Sequence, residues 1–422
     1  MNIIYMHTHD SGRYMEPYGY KMETPAIMDF GQQSTLFRNA YCAGPTCSPS
    51  RSALLTGMVP HSNGMIGLAH RGFKLNDDSQ HLASFLRLNG YETILCGVQH
   101  EGKNTASLGY NKVLGNQGHG DLVNADRAAN YILNNTDEKF FMSFGMFNTH
   151  RVFPESTVNP DYVTVPPTIP DTADNRLDFS QYITSMQIVD KCVAKIMEAV
   201  YKTGRDKDTL IIFTTDHGIS YPYMKCNLYD TGIGVSLMIK YPGNPTAGKA
   251  TDCMVSHLDI FPTICELNGI DKPNYLQGVS LLPVLTDNIP VRDEIYSEVT
   301  FHAAYEPKRC IRTDKFKLIK RFDTHLLPVP ANIDASPSKT SLIKNGYLDT
   351  PVIREELYDL TADPYERVNL IGNDRYLTAY NELNSKLVKH MVDTDDVILK
   401  YPEGVPIPDG AYINPLSDID PI

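Results

Sequence analysis

The chain has 422 residues, of which 42% are hydrophobic, so it can bury a large core and is long enough for one large domain and a smaller one. Its formal net charge of −12 argues against nonspecific binding to nucleic acid or to an anionic membrane, because both require a basic face. No apolar stretch is long enough to span a membrane, and the first residues are too short and uncharged for a secretory signal, so we expect a cytoplasmic protein.

Short apolar runs predict buried strands of a mainly parallel sheet at residues 3–6, 93–96, 140–147 and 210–214. Helical patterns alternate with these runs; one helix is predicted over about 179–200, before Gly204, and another over 82–88, before Gly90. The Pro-rich stretches 154–174 and 328–341 predict long surface loops. The alternation of strands and helices predicts an α/β sandwich.

Each predicted strand is followed by histidine or by histidine with a carboxylate. A lone histidine at a strand end is more often a packed or capping residue, but four such groups at the ends of neighbouring strands favour a site, since ligands of open α/β sheets bind there. Mixed nitrogen and oxygen donors suit a divalent metal. The residues are His9 and Asp10 after the first strand, His100 after the second, His150 after the third, and Asp216 and His217 after the fourth.

One segment, residues 47–57, reads CSPSRSALLTG. Pro49 favours the first turn of a helix and Gly57 ends it, so Cys47 is predicted at a helix N-terminus, where partial positive charge attracts an anion. Arg51, one turn further on, can hold that anion or an activated nucleophile. The other cysteines form no C-x-x-C pair and are expected to be reduced and buried. The residues alone leave open a structural cysteine and a thiolate nucleophile at position 47.

The C-x-P-S-R motif with its short helix ending in Thr-Gly resembles the signature of the sulfatase family, whose cysteine is oxidised to formylglycine by a separate generating enzyme. Matching stretches at 39–40, 61–68, 213–218, 278–283 and 356–370 extend the resemblance over nearly the whole chain. NGMIGL at 63–68 and CNLY at 226–229 are similar to the sulfamidase branch, the N-sulfoglucosamine sulfohydrolases.

The resemblance implies an alkaline-phosphatase-like sandwich, with a catalytic α/β domain over residues 1–300 and a smaller α+β domain over 301–422. In the second part, the alternating pattern of residues 310–319 predicts a hairpin of a small antiparallel sheet, and a helix is predicted near 377–391. The last 20 or so residues, rich in Pro and Asp, are expected to form an irregular tail.

The activity that the resemblance implies is hydrolysis of a sulfate ester or sulfamate, with a small sulfated sugar or a glycosaminoglycan as substrate. Hydrated formylglycine derived from Cys47 attacks sulfur, polarised by a divalent metal and by Arg51. His150 then protonates the leaving oxygen or nitrogen, and His100 supports the diol or the sulfate. Lys225 matches a basic family position that grips a sulfate oxygen.

The ion expected by resemblance is calcium, and its ligands would be His9, Asp10, Cys47, Asp216 and His217. The family usually has paired acids after its first strand and Asp-Asn after its fourth, so His9 and His217 are departures. Two imidazoles favour manganese or zinc over calcium. Val98 stands where the family has a lysine, which removes one cation from the sulfate pocket; His70 and Arg71 lie where a replacement contact is conceivable, and the loop around His302 is a candidate wall.

Two other functions stay open on these residues. Phosphonate monoester and phosphodiester hydrolases of the same superfamily share the formylglycine motif, and an Asp-His metal pair resembles theirs. A degenerate relative that binds sulfated glycans without turnover is the non-enzymatic alternative. An enzyme is favoured, since a binding protein has no chemical need for the full set of residues that is retained: Cys47, Pro49, Arg51, His100, His150 and Asp216.

Overall fold

The computed structural model describes residues 1–115, 118, 120–135 and 139–419. Its strands, in chain order, are β1 (Asn2–Thr8), β2 (Thr35–Phe37), β3 (Ala40–Tyr41), β4 (Glu92–Gly97), β5 (Lys112–Val113), β6 (Phe140–Gly145), β7 (Thr209–Thr215), β8 (Gly234–Val235), β9 (Leu237–Lys240), β10 (Lys249–Thr251), β11 (Val255–Ser256), β12 (Glu294–Phe301), β13 (Tyr305–Thr313), β14 (Phe316–Arg321) and β15 (Glu355–Asp359). Its helices are α1 (Pro25–Gln32), α2 (Cys47–Thr56), α3 (Pro60–Asn63), α4 (Leu82–Leu88), α5 (Asp121–Asn134), α6 (Ala173–Lys202), α7 (Asp230–Ile233), α8 (Ile260–Asn268), α9 (Leu282–Asp287), α10 (Pro337–Lys344), α11 (Leu377–Asp393) and α12 (Val397–Lys400).

The large sheet of the described chain has eight strands in the order β10-β2-β9-β7-β1-β6-β4-β5. Its central neighbours β7, β1, β6 and β4 all run parallel, whereas β9 runs antiparallel to β7 and β2. This confirms the predicted α/β fold with a mainly parallel sheet. The four parallel strands are those whose ends carry the histidines and carboxylates, so the topology delivers these side chains to one edge.

Apolar layers cover both faces of the large sheet. In β1, Ile3 and Tyr5 belong to one core cluster and Ile4 and Met6 to another, because successive side chains of a strand point to opposite faces. Helices α5 and α6 contribute to the second cluster, and α2, α4 and α8 to the first. Burial on both faces explains why the strands form continuous apolar runs in the sequence.

Helix α6 is longer than predicted at its N-terminus. It begins at Ala173, because the side chain of Thr172 accepts a hydrogen bond from the backbone N–H of Asn175 and so caps the helix inside the stretch that the sequence assigned to a loop. The helix ends at Lys202, close to the predicted stop at Gly204, and α4 has the predicted bounds. Strand β6 ends at Gly145, two residues before the predicted end.

A second sheet, antiparallel, has the order β12-β13-β14-β15 and contains the predicted hairpin, in which Cys310 pairs with Ile319. Helix α11 packs on it through Leu383, Leu387 and Met391. The prediction of a loop over 328–341 was wrong in part, since α10 begins within it, capped by the Ser336 side chain. Strand β12 spans residue 300, and the division into 1–300 and 301–422 stays a prediction.

All eight cysteines are buried and none forms a disulfide, as the sequence predicted. None of the described helices combines the length and the apolar character that crossing a bilayer requires. From 401 to 419 the chain is irregular, as predicted, but it is not detached: the backbone N–H of Tyr412 donates to the Arg71 carbonyl, and that of Asn414 to the Ala303 carbonyl.

Candidate active site

Cys47 is the first residue of α2, as the Pro49 and Gly57 pattern predicted. The preceding Thr46 is extended, and Gly57 ends the helix in the left-handed region at φ 65°. Ser50 anchors the first turn by donating from its hydroxyl to the Asp216 carbonyl at 2.6 Å. The Cys47 side chain is therefore held at a buried helix N-terminus next to the end of β7.

The predicted metal ligands converge on this cysteine. Ligand atoms of His9, Asp10, Cys47 and Asp216 all lie within 4.8 Å of one another. His217 Nε2 lies 3.5 Å from Cys47 Sγ and 3.5 Å from Asp10 Oδ1. All five residues are buried. Segments that lie up to more than 200 residues apart in the chain thus form one cluster. We call it the donor cluster, and its members are His9, Asp10, Cys47, Asp216 and His217.

Some buried atoms of the donor cluster accept or donate no hydrogen bond among the described residues. Both ring nitrogens of His9 and Asp10 Oδ1 are buried and make no hydrogen bond to any described residue. A buried polar atom without a partner costs free energy, so such atoms call for an explanation. Carboxylate oxygens with imidazole nitrogens are the donors that a divalent cation takes. The residues present therefore fit a metal ion.

Arg51 is 1% exposed and is fixed by three groups around it. Its Nε and Nη2 lie 3.1 and 3.0 Å from Asp216 Oδ2, and Nη2 also donates to the Thr8 carbonyl at 2.8 Å; Nη1 contacts His7 Nδ1. Burial raises the pKa of Asp216, but His217 and Arg51 outweigh it and hold that pKa below its ordinary value. Asp216 is therefore ionised and Arg51 is immobile one turn from Cys47.

Lys225 is buried rather than exposed. Its Nζ donates to Asp10 Oδ2 at 3.1 Å and forms an ion pair with Asp334 at 3.3 Å. Burial lowers the pKa of Lys225, but the two carboxylates outweigh it and hold that pKa well above its ordinary value. Burial also raises the pKa of the Cys47 thiol against the opposing charge of Lys225. The surrounding protein groups alone therefore do not produce a thiolate.

His100 and His150 flank His9, with ring centroids 4.8 and 5.4 Å from its ring. Both are partly exposed, so they line the access to the donor cluster. His150 Nδ1 lies 2.6 Å from the Arg151 carbonyl, which fixes the ring and leaves Nε2 for another partner. Burial, assisted by Arg51, lowers the pKa of His100 to about 3. His70 is exposed, and the centroid of its ring lies 6.4 Å from that of His100.

The backbone at these strand ends is unusual. Asp10 has φ 38° and Thr149 has φ 81°, in the left-handed region that non-glycine residues rarely adopt. Each such residue costs on the order of 1–3 kcal/mol and persists when the surrounding structure imposes it. Asp10 N–H donates to Asp216 Oδ1 at 2.9 Å, which holds the loop after β1 against the loop after β7. Strain of this kind clusters at functional sites.

Comparison with known proteins identifies the family. Residues 2–270 match the family model described as sulfatase. The chain belongs to the sulfatase family. It is a sulfuric ester hydrolase, as the resemblance implied. Residues 217–327 also match the model described as N-sulphoglucosamine sulphohydrolase, C-terminal, which agrees with the branch that the sequence indicated.

Individual relatives of this sulfatase agree over most of its length. N-sulphoglucosamine sulphohydrolase of Homo sapiens is 28% identical over 90% of this chain and 88% of the relative. The structure of a 2-O GAG sulfatase has a TM-score of 0.76 at 21% identity and covers 94% of this chain and 93% of that one. A structure in complex with its substrate D-glucosamine-2-N,6-O-disulfate has a TM-score of 0.73 at 19% identity and covers 95% and 99%. The fold is that of the alkaline-phosphatase-like sulfatases.

Sequence reasoning missed two neighbours of the site in this sulfatase. His7 contacts Arg51 from inside β1, whereas the predicted strand ended at residue 6 and His7 was given no role in the site. Asp334 pairs with Lys225 from a stretch that was assigned to a loop without a function. No motif marks either residue. The need of Lys225 for an acidic partner, if it lies buried, was the one signal that pointed towards Asp334. Val98, at the position where the resemblance led us to expect a lysine, is 1% exposed.

Proposed function

We propose that this sulfatase hydrolyses a sulfate ester or sulfamate of a sulfated sugar, with formylglycine at position 47 as nucleophile and one divalent ion bound by the donor cluster. The observation that carries the proposal is the position of Cys47, at a buried helix N-terminus among four strand-end ligands. The human relative is named for N-sulfoglucosamine hydrolysis, and one solved structure holds a sulfated glucosamine as its substrate. Both support a sugar substrate here.

The chain's own residues supply fixed charges around position 47. Oxidation of Cys47 by a formylglycine-generating enzyme supplies a hydrated aldehyde as nucleophile. The bound ion supplies positive charge that polarises sulfate and nucleophile oxygens. Arg51, held by Asp216 and the Thr8 carbonyl, needs no reorganisation to stabilise charge at position 47. Lys225, held between Asp10 and Asp334, provides a second cation for a sulfate oxygen.

His150 is the residue that we assign to the leaving group. Its Nδ1–H donates to the Arg151 carbonyl, so the protonated ring carries a second proton on Nε2, which passes to the departing oxygen or nitrogen and leaves a neutral imidazole. His100, on the other side of the His9 ring, hydrogen-bonds the nucleophile or the sulfate. A catalytic His-to-leaving-group transfer of this type contributes about 10²–10⁴-fold in rate.

A comparison of four substrates tests the proposal directly. Metal-loaded protein that was produced together with a formylglycine-generating enzyme is assayed on an N-sulfated sugar, an O-sulfated sugar, an aryl sulfate and an aryl phosphonate monoester. We expect the highest kcat/KM on glucosamine N-sulfate or another sulfated sugar, because the leaving-group pocket rather than the donor cluster separates these tetrahedral anions. A clear preference for the phosphonate contradicts the proposal.

The nucleophile is tested in the same preparation. Mass spectrometry should show an aldehyde at residue 47, and Cys47→Ala should abolish turnover while the circular dichroism spectrum stays unchanged. Cys265→Ala, which removes a buried thiol of α8 outside the donor cluster, is the matched control and should retain turnover. Full activity with an unmodified thiol at residue 47 overturns the proposed chemistry, and binding without turnover on every compound indicates a degenerate sulfated-glycan-binding relative.

A further inference from the structure

His302 is a buried histidine without a role in the proposed chemistry. It follows β12 at the tip of the β12–β13 hairpin and is 1% exposed. Neither ring nitrogen makes a hydrogen bond to any residue that the structure describes. Hairpin tips normally lie in solvent, and a buried polar group without a partner destabilises the fold. A partner from outside the chain would satisfy this ring.

The hairpin tip is fixed, so the ring cannot leave its position easily. Ala303 and Ala304 are fully buried, and the Ala304 N–H donates to Asn332 Oδ1 at 2.9 Å. The Asn414 N–H donates to the Ala303 carbonyl at 2.7 Å. Two separate segments of the C-terminal part therefore clamp the tip. A group that is held before binding loses little conformational entropy when a ligand arrives.

The hairpin tip packs against the segment that leads to Asp334, because Ala303 and Ala304 form one buried cluster with Val329 and Ala331. Burial lowers the pKa of His302 well below its ordinary value, and Lys225 lowers it further, whereas Asp334 opposes them. His217 and Arg71 also act on the ring. Asp334 in turn pairs with Lys225, which also contacts Asp10, so the hairpin tip lies on the side of the donor cluster that carries this ion pair. A neutral imidazole there offers one hydrogen-bond donor and one acceptor.

We propose that His302 is a specificity residue, which hydrogen-bonds hydroxyl groups of a saccharide leaving group next to the Lys225–Asp334 pair. The proposal rests on the proposed function and names the part of the substrate that this wall recognises. A sulfate group requires cations, which Arg51 and Lys225 already provide, whereas a sugar hydroxyl both donates and accepts, as a neutral imidazole does. A site with buried polar groups discriminates strongly against a leaving group that lacks matching hydroxyls.

The test compares two leaving groups in one set of variants. The measured quantity is the ratio of kcat/KM for glucosamine N-sulfate to kcat/KM for 4-nitrophenyl sulfate, whose aromatic leaving group has no neighbouring hydroxyls. We expect His302→Phe to lower this ratio by about tenfold or more, since it keeps the ring but removes both nitrogens. His302→Gln restores a donor and an acceptor and should recover most of the ratio.

A matched control separates recognition from damage to the fold. His81 is also fully buried, and its Nε2 makes no hydrogen bond to a described residue, but it caps α4 outside the donor cluster. His81→Leu should leave the ratio unchanged even if it lowers stability. An equal loss on both substrates in His302→Phe, or no loss on either, overturns the proposal, because a structural role predicts the first result and no role predicts the second.

A binding measurement keeps the inference separate from the proposed function. In the Cys47→Ala protein, affinity for glucosamine N-sulfate is measured by calorimetry with histidine, phenylalanine or glutamine at position 302. We expect affinity to fall with phenylalanine and to be retained with glutamine. If the wild-type chain cleaves no sulfate but this pattern holds, the proposed function fails and the role of His302 stands. If the three proteins bind equally, or none binds, the role of His302 is refuted.

Discussion

Single residues in and around the donor cluster differ in how far the sequence predicts their placement. Cys47 and Arg51 belong to a local motif whose helix-start geometry follows from Pro49 and Gly57, so their placement was predictable. His9 and His217 follow strands that the apolar runs marked. Asp334 reaches the site only through the packing of a distant loop, which no local pattern encodes. The loop around His302 was named as a candidate wall, and its contact with the substrate stays a prediction. Sequence therefore predicts the reacting centre better than the wall that selects the substrate.

The first prediction concerns the metal at the residue scale. Because His9 and His217 place imidazole nitrogens among the carboxylates, we expect Mn²⁺ or Zn²⁺ to bind more tightly than Ca²⁺ in a calorimetric competition. Asp10→Asn and His9→Gln should each weaken the preferred ion by about tenfold or more, since even outer-shell changes at metal sites reach that size. The readout is metal affinity and does not depend on turnover.

Asp121 provides the control for the metal prediction. It is a buried carboxylate close to the end of β6, where its oxygens accept from the Phe147 and Asn148 N–H groups at 3.0 and 2.7 Å, and it does not belong to the donor cluster. Asp121→Asn should therefore leave metal affinity unchanged. A His9→Gln protein that binds Mn²⁺ or Zn²⁺ as tightly as the wild type would show that His9 is not a ligand.

At the scale of elements, the strands were predictable and their order was not. Continuous apolar runs mark β1, β4, β6 and β7, because strands buried on both faces have no polar alternation. The order β7-β1-β6-β4 depends on pairing between residues far apart, as in Ile3 opposite both Phe141 and Leu210. Helix α10 was missed because a proline-rich stretch also suits a loop, whereas Pro337 stands at the start of the helix, where proline is tolerated.

Helix α11 gives a prediction at this scale. Leu387 is 1% exposed and packs with Leu383 and Met391 into the core under the antiparallel sheet. We expect Leu387→Ala to lower the free energy of unfolding by about 2–5 kcal/mol, since the deletion leaves a cavity. The neighbouring Val388 is 44% exposed, so Val388→Ala should change the free energy of unfolding by less than about 0.5 kcal/mol. Urea unfolding measures both, and equal effects would mean that α11 does not pack as described.

At the scale of the whole molecule, the eight-stranded sheet and the four-stranded sheet share one hydrophobic core. Apolar residues of β12, β13, β14 and α11 belong to the same buried cluster as those of β1 and α2. The hairpin tip that carries His302 is therefore supported by the same core that supports Cys47. This continuity, which sequence could suggest only through family resemblance, makes the smaller sheet part of the site's scaffold.

The last prediction concerns the whole molecule at mildly acidic pH. Burial lowers the pKa of His81 to about 3, and burial with the charge of His61 lowers that of His390 to about 4. In the unfolded chain these side chains titrate near ~6.5. Below that pH the unfolded state binds protons that the folded state does not. The contribution of these histidines to the free energy of unfolding is therefore complete above the unfolded pKa and decreases as the pH falls. Each such histidine contributes a slope of up to about 1.4 kcal/mol per pH unit.

We therefore expect the free energy of unfolding, measured by urea titration with a chelator present, to decrease steadily from pH 7 to pH 5. Carboxylates of the unfolded chain stay mostly ionised in this window, because their pKa values lie near ~4. Burial raises the pKa of Glu366 in the folded chain to about 7, so this group opposes the histidines, and the slope reports the balance between them. His81→Asn, which can keep the cap of α4 through its side-chain oxygen, removes one of these histidines and should make the slope shallower. A free energy that stays constant or rises towards pH 5 would mean that these histidines are not buried in the neutral form, and an unchanged slope in His81→Asn would exclude His81 as a contributor.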